Sequence, residues 1–298
     1  MVLVAAVALG SSTYAWFVSN NNVKATTSSI SAQSNAPFLV IKAGSAITTT
    51  DVKTEDTTTP AADKVLFPVQ MVKAENDASA FQWESAYASA SDASTEKGAT
   101  RFIVQQADYE KYYMKETFYV GTNGTTKGQF KNLRVSGVTA TPGAESHELR
   151  NALRVMVVCG EEVAIYDQNG ALVTTYDKTT WAGDPATPTT TATNVVGLTA
   201  AANRTANGVT TNAAYLTGED SASYIGKTDG TADSVQVDVY VYYDGAVANI
   251  RTNNINNLGS VKATVTFTAD DAAASTTGAS RRRNNRPSSG FFHGNKNG

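Results

Sequence analysis

The chain has 298 residues, of which 41% are hydrophobic and 17% are charged, and its formal net charge is −3. This composition excludes a disordered chain, in which hydrophobic content is low and net charge is high. The one cysteine excludes an intrachain disulfide, and the two histidines argue against a zinc site built from histidine.

The first fifteen residues have features of an export signal. Residues 1–9 are apolar, and Thr13-Tyr14-Ala15 places small residues on both sides of a tyrosine, as a signal peptidase requires. The apolar run is much shorter than the roughly 20 residues that span a bilayer. No basic residue precedes Lys24, and a buried core helix or strand is the alternative. We expect residues 1–15 to be a signal-peptide remnant, so that the protein is secreted and meets a membrane only during export.

Alternation of apolar and polar residues predicts strands in much of the chain. The clearest pattern covers residues 235–241, after which Asp244-Gly245 predicts a turn, and the same pattern recurs at residues 261–268. We expect these two strands to be neighbours in one sheet, with Tyr240 and Tyr242 on a surface that faces away from the core. The predicted core positions of the two strands are Val235, Val237, Val239, Val241, Val261, Ala263, Val265 and Phe267.

Shorter apolar runs predict further strands and little helix. The runs lie at residues 38–42, 64–69, 113–120, 132–138 and 153–159. The last run is expected to place on one core-facing side Leu153, Val155, Val157 and Cys159, the cysteine acting as a small hydrophobe. Residues 163–166 predict its hairpin partner, and the minor helix is expected at residues 144–151.

Between the predicted strands, the polar composition indicates long insertions into one β domain at residues 37–275. The largest insertion spans residues 177–230 and is rich in Thr, Ala, Asn and Gly, and smaller ones span residues 49–62 and 85–100. Loops of this length are uncommon without a function, and on secreted proteins they often carry adhesion. Flexible polar loops without a partner are the alternative.

The final segment, residues 276–298, differs from the rest of the chain in charge. It contains five basic residues and, from residue 281, no acidic one, which leaves 19 basic against 27 acidic residues elsewhere, a net charge of about −8. A basic block among Asn, Gly and Ser cannot bury enough apolar surface to fold, so we expect a disordered tail. Binding of nucleic acid and a non-native extension are the alternatives, and we expect no nucleic-acid partner.

No sequence motif for catalysis is present. Phosphate-binding glycine loops, a His-Glu-x-x-His pair and a Gly-x-Ser-x-Gly elbow are all missing from the sequence. His147 lies in a polar run and His293 in the basic tail. The pairs Glu161-Glu162 and Asp270-Asp271 contain calcium-type ligands, but neighbouring residues of a strand point to opposite faces. We therefore expect no enzyme activity, no cofactor and no metal, although dispersed carboxylates leave a hydrolase open.

Residues 13–20 resemble the signal-peptide junction of the TasA and camelysin family of secreted Firmicutes proteins. The matching places are held by Gly10, Thr13, Ala15, Phe17, Ser19 and Asn20. A second likeness covers residues 235–243 and 261–268, which look like the closing strands of secreted proteins with this N-terminus. The resemblance implies a jelly-roll-like antiparallel β-sandwich that forms extracellular matrix fibres, each subunit lending its N-terminal strand to the next. Camelysin relatives have been regarded as proteases, but this sequence offers no set of zinc ligands.

The segment at residues 16–36 is the candidate donor strand that the resemblance implies. An unpaired sheet edge leaves N–H and C=O groups free, and a neighbour's strand satisfies them while its alternate side chains fill core pockets. We expect the sandwich to lack one strand until a neighbour supplies it. Because head-to-tail donation does not close, it propagates a filament. The apolar side chains expected to enter the neighbour are Val23, Ala25, Ile30 and Ala32.

These features favour a secreted structural subunit of a bacterial surface or biofilm-matrix fibre. Its main partner is expected to be itself, as a head-to-tail homopolymer, with other matrix or cell-surface components as further partners. The alternative is a monomeric adhesin or glycan-binding β-sandwich that uses the long loops together with Tyr240, Tyr242 and Tyr243, because exposed tyrosines stack on sugars.

Overall fold

The structure is a computed structural model in which the described residues are 28–34, 39–59, 66–74, 77–87, 100–125, 128–141, 150–160, 162–173, 204–206, 209–211, 215–218, 220–244 and 261–272. The strands in these residues are β1 (Ser29–Ser34), β2 (Val40–Ala43), β3 (Glu55–Thr58), β4 (Gln70–Ala74), β5 (Asp77–Tyr87), β6 (Thr100–Ile103), β7 (Tyr113–Thr122), β8 (Phe130–Thr141), β9 (Leu153–Cys159), β10 (Glu162–Asp167), β11 (Arg204–Ala206), β12 (Val209–Thr211), β13 (Asp233–Tyr243) and β14 (Lys262–Asp271). Two short 3₁₀ helices are at Gln106–Lys111 and Ser221–Ser223. The expected all-β, sandwich-like fold with little helix is confirmed.

Two sheets enclose the main core. One has the strand order β3-β1-β14-β8, and the other has the order β10-β9-β13-β7-β2. Their facing side chains form one apolar cluster, which includes Phe118 of β7, Val239 of β13 and Phe267 of β14, all fully buried. Burial of a large aliphatic or aromatic side chain contributes about 1.5–3 kcal/mol, so this layer dominates the stability of the fold.

The strands β13 and β14 lie in different sheets, so the prediction that they are neighbours is wrong. β13 pairs with β7 and β9, whereas β14 pairs with β1 and β8. Their predicted apolar faces meet across the main core instead. Alternation along a strand shows which of its faces is buried. The pattern is the same whether two strands lie side by side in one sheet or face each other from opposed sheets.

A third sheet covers the other face of the five-stranded sheet. It has the order β4-β5-β6, and Met71 and Trp83 from it are buried against Tyr240 and Tyr242 of β13. The part of the five-stranded sheet around Tyr240 and Tyr242 is therefore buried on both faces. The prediction that Tyr240 and Tyr242 lie on an exposed surface is wrong, because the three-stranded sheet covers them.

Most predicted strands are present with longer bounds, and one is displaced. β9 has the predicted bounds, and β7 and β8 extend the predicted runs. Residues 64 and 65 of the run at 64–69 lie outside the described residues, residues 66–68 are irregular, Val69 forms an isolated bridge, and β4 begins at Gln70. Pro68 has no N–H to donate to a ladder, so the strand begins after it. The predicted helix at 144–151 lies almost wholly outside the described residues.

The predicted insertions contain structure as well as loops. β3 lies within residues 49–62, and β5 continues to Tyr87 within residues 85–100. Inside residues 177–230, Leu216 and Ile225 are buried in the main core and bond to the backbone of β8, with Leu216 N donating to Leu133 O at 2.6 Å. Because these stretches contain few apolar residues, the sequence did not predict that some of those residues are buried in the main core. The segments 1–15 and 276–298 lie outside the described residues.

Candidate functional site

β1 lies inside its sheet, between β14 and β3. It runs parallel to β14, with Ile30 opposite Ala263, and antiparallel to β3, with Ile30 opposite Thr58. It forms the only parallel strand pair among the described residues. We call the space between β14 and β3 the β1 slot. β1 pairs with the backbone of both strands that border it.

Two apolar side chains of β1 fill the β1 slot. Ile30 and Ala32 are both 0% exposed and belong to the main core. Ser28, just before β1, accepts a hydrogen bond from Val261 N at 3.1 Å through its buried hydroxyl. Burial of the two apolar side chains contributes about 3 kcal/mol, which is small for a strand in the middle of a sheet. The remaining hold on β1 is therefore polar.

Polar contacts fix the register of β1 on the outward face. Gln33 Nε2 donates to Thr266 Oγ1 at 2.9 Å, which joins β1 to β14. On the β3 side, Thr58 Oγ1 donates to Ile30 O at 3.2 Å, and the hydroxyls of Ser31 and Thr57 are 2.9 Å apart. A one-residue slip would turn Ile30 toward solvent and break all of these contacts.

Two carboxylates, one in the connection between β2 and β3 and one in β3 itself, hold this part of the chain. Asp51 accepts bonds from the hydroxyl and amide of Thr48, both at 2.7 Å, and from Lys42 Nζ at 2.9 Å, and these partners lower its pKa to about 2. Partial burial opposes the ionisation of Asp56, but bonds from the amides of Ala43 and Thr57, with Lys53 nearby, outweigh it and lower the pKa of Asp56. Both carboxylates are thus held in the charged form.

The expectation that the sandwich lacks a strand within one chain is wrong. Of the predicted donor residues, Ile30 and Ala32 fill the core of their own molecule, and Val23 and Ala25 lie outside the described residues. The physical reason is proximity, because a strand tethered to its own sheet has a much higher effective concentration there than a strand from another copy. β3, which covers β1, was not predicted from the sequence, where Thr57-Thr58 is its only β-branched signal.

The structure places the predicted sandwich residues in the main core. Val235 is partly buried at its margin. The fully or almost fully buried members are Val237, Val239, Val241, Leu153, Val155, Val157, Val261, Val265 and Phe267. They come from β9, β13 and β14, with Val261 directly before β14, so both sheets contribute to the main core.

The tyrosines of the alternative glycan-binding hypothesis are buried by the chain itself. Tyr240, Tyr242 and Tyr243 are 6%, 0% and 1% exposed. The ring of Trp83 lies 5.8 Å from that of Tyr240 and 5.0 Å from that of Tyr242, while Tyr243 faces the main core. Stacking on a sugar needs an exposed ring, so these three residues provide no glycan platform.

Cys159 is a buried thiol, and its chemistry follows from that burial. Desolvation, with Glu162 nearby, raises the pKa of Cys159 to about 11. At pH 8 only about one thiol in a thousand is ionised, and the thiolate is the reactive form. We expect a disulfide reagent to leave the native protein unlabelled and to label one thiol after denaturation. Rapid labelling of the folded protein at pH 8 would contradict this placement.

The charged residues considered for chemistry have structural partners. Asp270 accepts bonds from Arg134 Nη1 at 2.9 Å and from Asn132 Nδ2 at 3.1 Å, which hold the irregular end of the β8–β14 pair. Asp271, the last residue of β14, also has a partner. His147, His293 and Glu161 lie outside the described residues.

Within the part of the chain that the structure describes, three or more metal-ligating side chains nowhere gather into a group. The same part contains no helix of the length and hydropathy needed to span a bilayer. No family model matches the chain, and neither the curated proteins nor the solved structures give a match.

Proposed function

We propose that this protein is a secreted structural subunit of a bacterial surface or biofilm-matrix fibre whose copies join head-to-tail by exchanging β1. The observation that carries the proposal is the position of β1, an interior strand held by two apolar side chains and a set of polar contacts. Secretion and the extracellular location rest on the sequence of residues 1–20 and on its resemblance to a family of secreted fibre proteins.

Exchange conserves the contacts of β1. In a neighbour, β1 would meet the same β14 and β3, with Ile30 and Ala32 in the same pockets and Gln33 against the same Thr266. The free energies of the closed monomer and of the exchanged form therefore differ little, and protein concentration shifts the balance toward the exchanged form. Domain swapping of an identical element is a low-cost route to assembly for this reason.

The geometry of exchange favours an open chain of subunits. Each copy would donate one β1 and accept one in its β1 slot, so donor and acceptor are different parts of the surface. Such heterologous contacts generate rings only when the rotation between copies closes, and otherwise they generate filaments. The partner is therefore another copy of this chain, and a membrane is met only during export.

The adhesin alternative relied on three tyrosines, and all three are buried. Its other support was the long loops, and residues 88–99, 174–203 and 245–260 lie outside the described residues. No observation in the described part of the chain favours it over the fibre.

Cysteine cross-linking between variants tests exchange directly. We expect a mixture of Gln33→Cys and Thr266→Cys chains, both with Cys159→Ala, to form covalent dimers under mild oxidation at fibre-forming concentration. These two residues are direct neighbours on β1 and β14, and strands about 4.8 Å apart allow disulfide geometry. A bridge between different chains requires β1 of one to lie beside β14 of the other, which non-reducing electrophoresis detects.

Tyr119→Cys and Gln236→Cys form the matched control pair. These residues are also direct neighbours with touching side chains, but they lie on β7 and β13, which do not exchange. The control mixture should stay monomeric under the same conditions. If the Gln33 and Thr266 variants give no more dimer than this control in samples that contain filaments, exchange of β1 is ruled out.

A further inference from the structure

β3 covers the outer edge of β1 without any apolar hold of its own. It is the edge strand of its sheet, its sequence is Glu-Asp-Thr-Thr, and none of its four side chains is buried. Every other strand that flanks the main core contributes at least one buried apolar residue to it. The contacts of β3 are therefore polar and lie at the surface, where each contributes only about 1 kcal/mol.

β3 blocks the path by which β1 would leave the sheet. β1 is paired on one side with β14, an interior strand that also pairs with β8, and on the other side with β3. Four residues of β3 pair with Ile30 to Gln33. While β3 stays in place, both ladders of β1 must break together. Once β3 has moved, only the ladder to β14 and the two apolar side chains remain.

One carboxylate joins β3 to the opposite sheet. Asp56 Oδ2 accepts a hydrogen bond from Ala43 N at 3.0 Å, and Oδ1 accepts one from Thr57 N at 3.1 Å. Ala43 is the last residue of β2 and pairs with Phe118 of β7, so it is anchored in the five-stranded sheet. A further hydrogen bond from β2 lies nearby, in which Ile41 N donates to Lys53 O at 2.8 Å. Hydrogen bonds to a carboxylate are stronger than neutral ones, so Asp56 is the strongest single side-chain tie of β3 to β2.

We propose that β3 is a strap that must open before β1 can leave, and that Asp56 is the clasp that holds the strap on β2. The strap opens by breaking surface polar contacts, while β2 and the rest of the five-stranded sheet stay folded. The proposal deepens the proposed function, because it names the step that controls exchange between copies, but its first test does not depend on assembly.

Hydrogen exchange of the dilute monomer tests the strap. In Asp56→Ala we expect the amides of β1 and β3 to exchange about tenfold faster than in the unmodified protein, because opening no longer breaks the hydrogen bond from Ala43 N to the carboxylate. The amides of β13 should keep their rates, since that strand does not take part in opening. Asp56→Asn keeps one acceptor oxygen without the charge, so the exchange rates of these amides should increase less. This variant replaces Asp56→Ala in the test if Asp56→Ala does not fold.

Glu55→Ala is the matched control, because it removes an equal charge from the same strand at an exposed position. It should leave the β1 amides within about twofold of their original rates. The strap is disproved if Asp56→Ala does not exceed this control, or if β13 is accelerated as much as β1. Faster β1 exchange in the monomer without dimers in the Gln33 and Thr266 mixture would support the strap and reject the proposed exchange of β1 between copies.

Discussion

Replacement of Trp83 by alanine is expected to lower the free energy of unfolding by about 3–5 kcal/mol. Trp83 is 1% exposed and is the centre of the aromatic layer between the five-stranded and three-stranded sheets. Its ring lies 4.7 Å from the ring of Tyr113 and 5.0 Å from that of Tyr242. Alanine would leave a large cavity and remove these ring contacts, which add about 0.5–1.5 kcal/mol each.

Urea denaturation followed by circular dichroism measures this change. Ile103→Ala is the matched control, because Ile103 belongs to the same three-stranded sheet but is 50% exposed, and its loss should cost less than about 1 kcal/mol. Trp83→Phe should fall between the two, since it keeps an aromatic ring. A Trp83→Ala protein as stable as the Ile103→Ala control would show that the three-stranded sheet does not pack on Tyr240 and Tyr242.

Replacement of Ile30 by aspartate is the second large effect that we expect, with a loss of at least about 4 kcal/mol of stability. The change removes a fully buried aliphatic side chain from the main core and places a carboxyl group in its pocket. The positions opposite Ile30 are Ala263 and Thr58, and neither offers a positive charge. β1 should therefore leave the β1 slot, or the chain should unfold.

Ser29→Asp is the matched control for this change. It introduces the same side chain one position earlier, on the partly exposed outward face and opposite Lys262 of β14, so stability should change by less than about 1 kcal/mol. Thermal unfolding distinguishes the two variants. Electron microscopy should show filaments from Ser29→Asp and none from Ile30→Asp, because a neighbour's slot would reject the carboxyl group too. Filaments from both variants would exclude β1 from the assembly contact.

Local pattern was enough to predict strands but not their partners. The alternation at residues 235–241 and 261–268 identified β13 and β14 and the face that each buries. It also led to the wrong expectation that they are neighbours. Pairing depends on the whole chain path, and β14 is joined to β1 across more than two hundred residues of sequence.

The other elements that were not predicted from the sequence include β3 and the three-stranded sheet. β3 is short, polar and unburied, and the β-branched pair Thr57-Thr58 is too little to distinguish Glu-Asp-Thr-Thr from a loop until β1 lies beside it. The layer over Tyr240 and Tyr242 depends on Met71 of β4 and Trp83 of β5, and neither strand was predicted, although Phe81 and Trp83 alternate with polar residues. Such a pattern can mark a strand, but it carries no information about which distant face the strand covers.

The sequence by itself determined the β-rich character of this chain and the inward faces of its main strands, because β-branched residues at period two fit a half-buried sheet wherever they occur. It also determined that Cys159 is a buried hydrophobe. Only the tertiary structure decided that Ile30 and Ala32 complete their own sheet, that β3 covers them and that the tyrosine face of β13 is covered. Those outcomes depend on which strand edges pair and which sheet faces pack together. Several arrangements fit the local sequence pattern, and only the packing of the whole chain selects one of them.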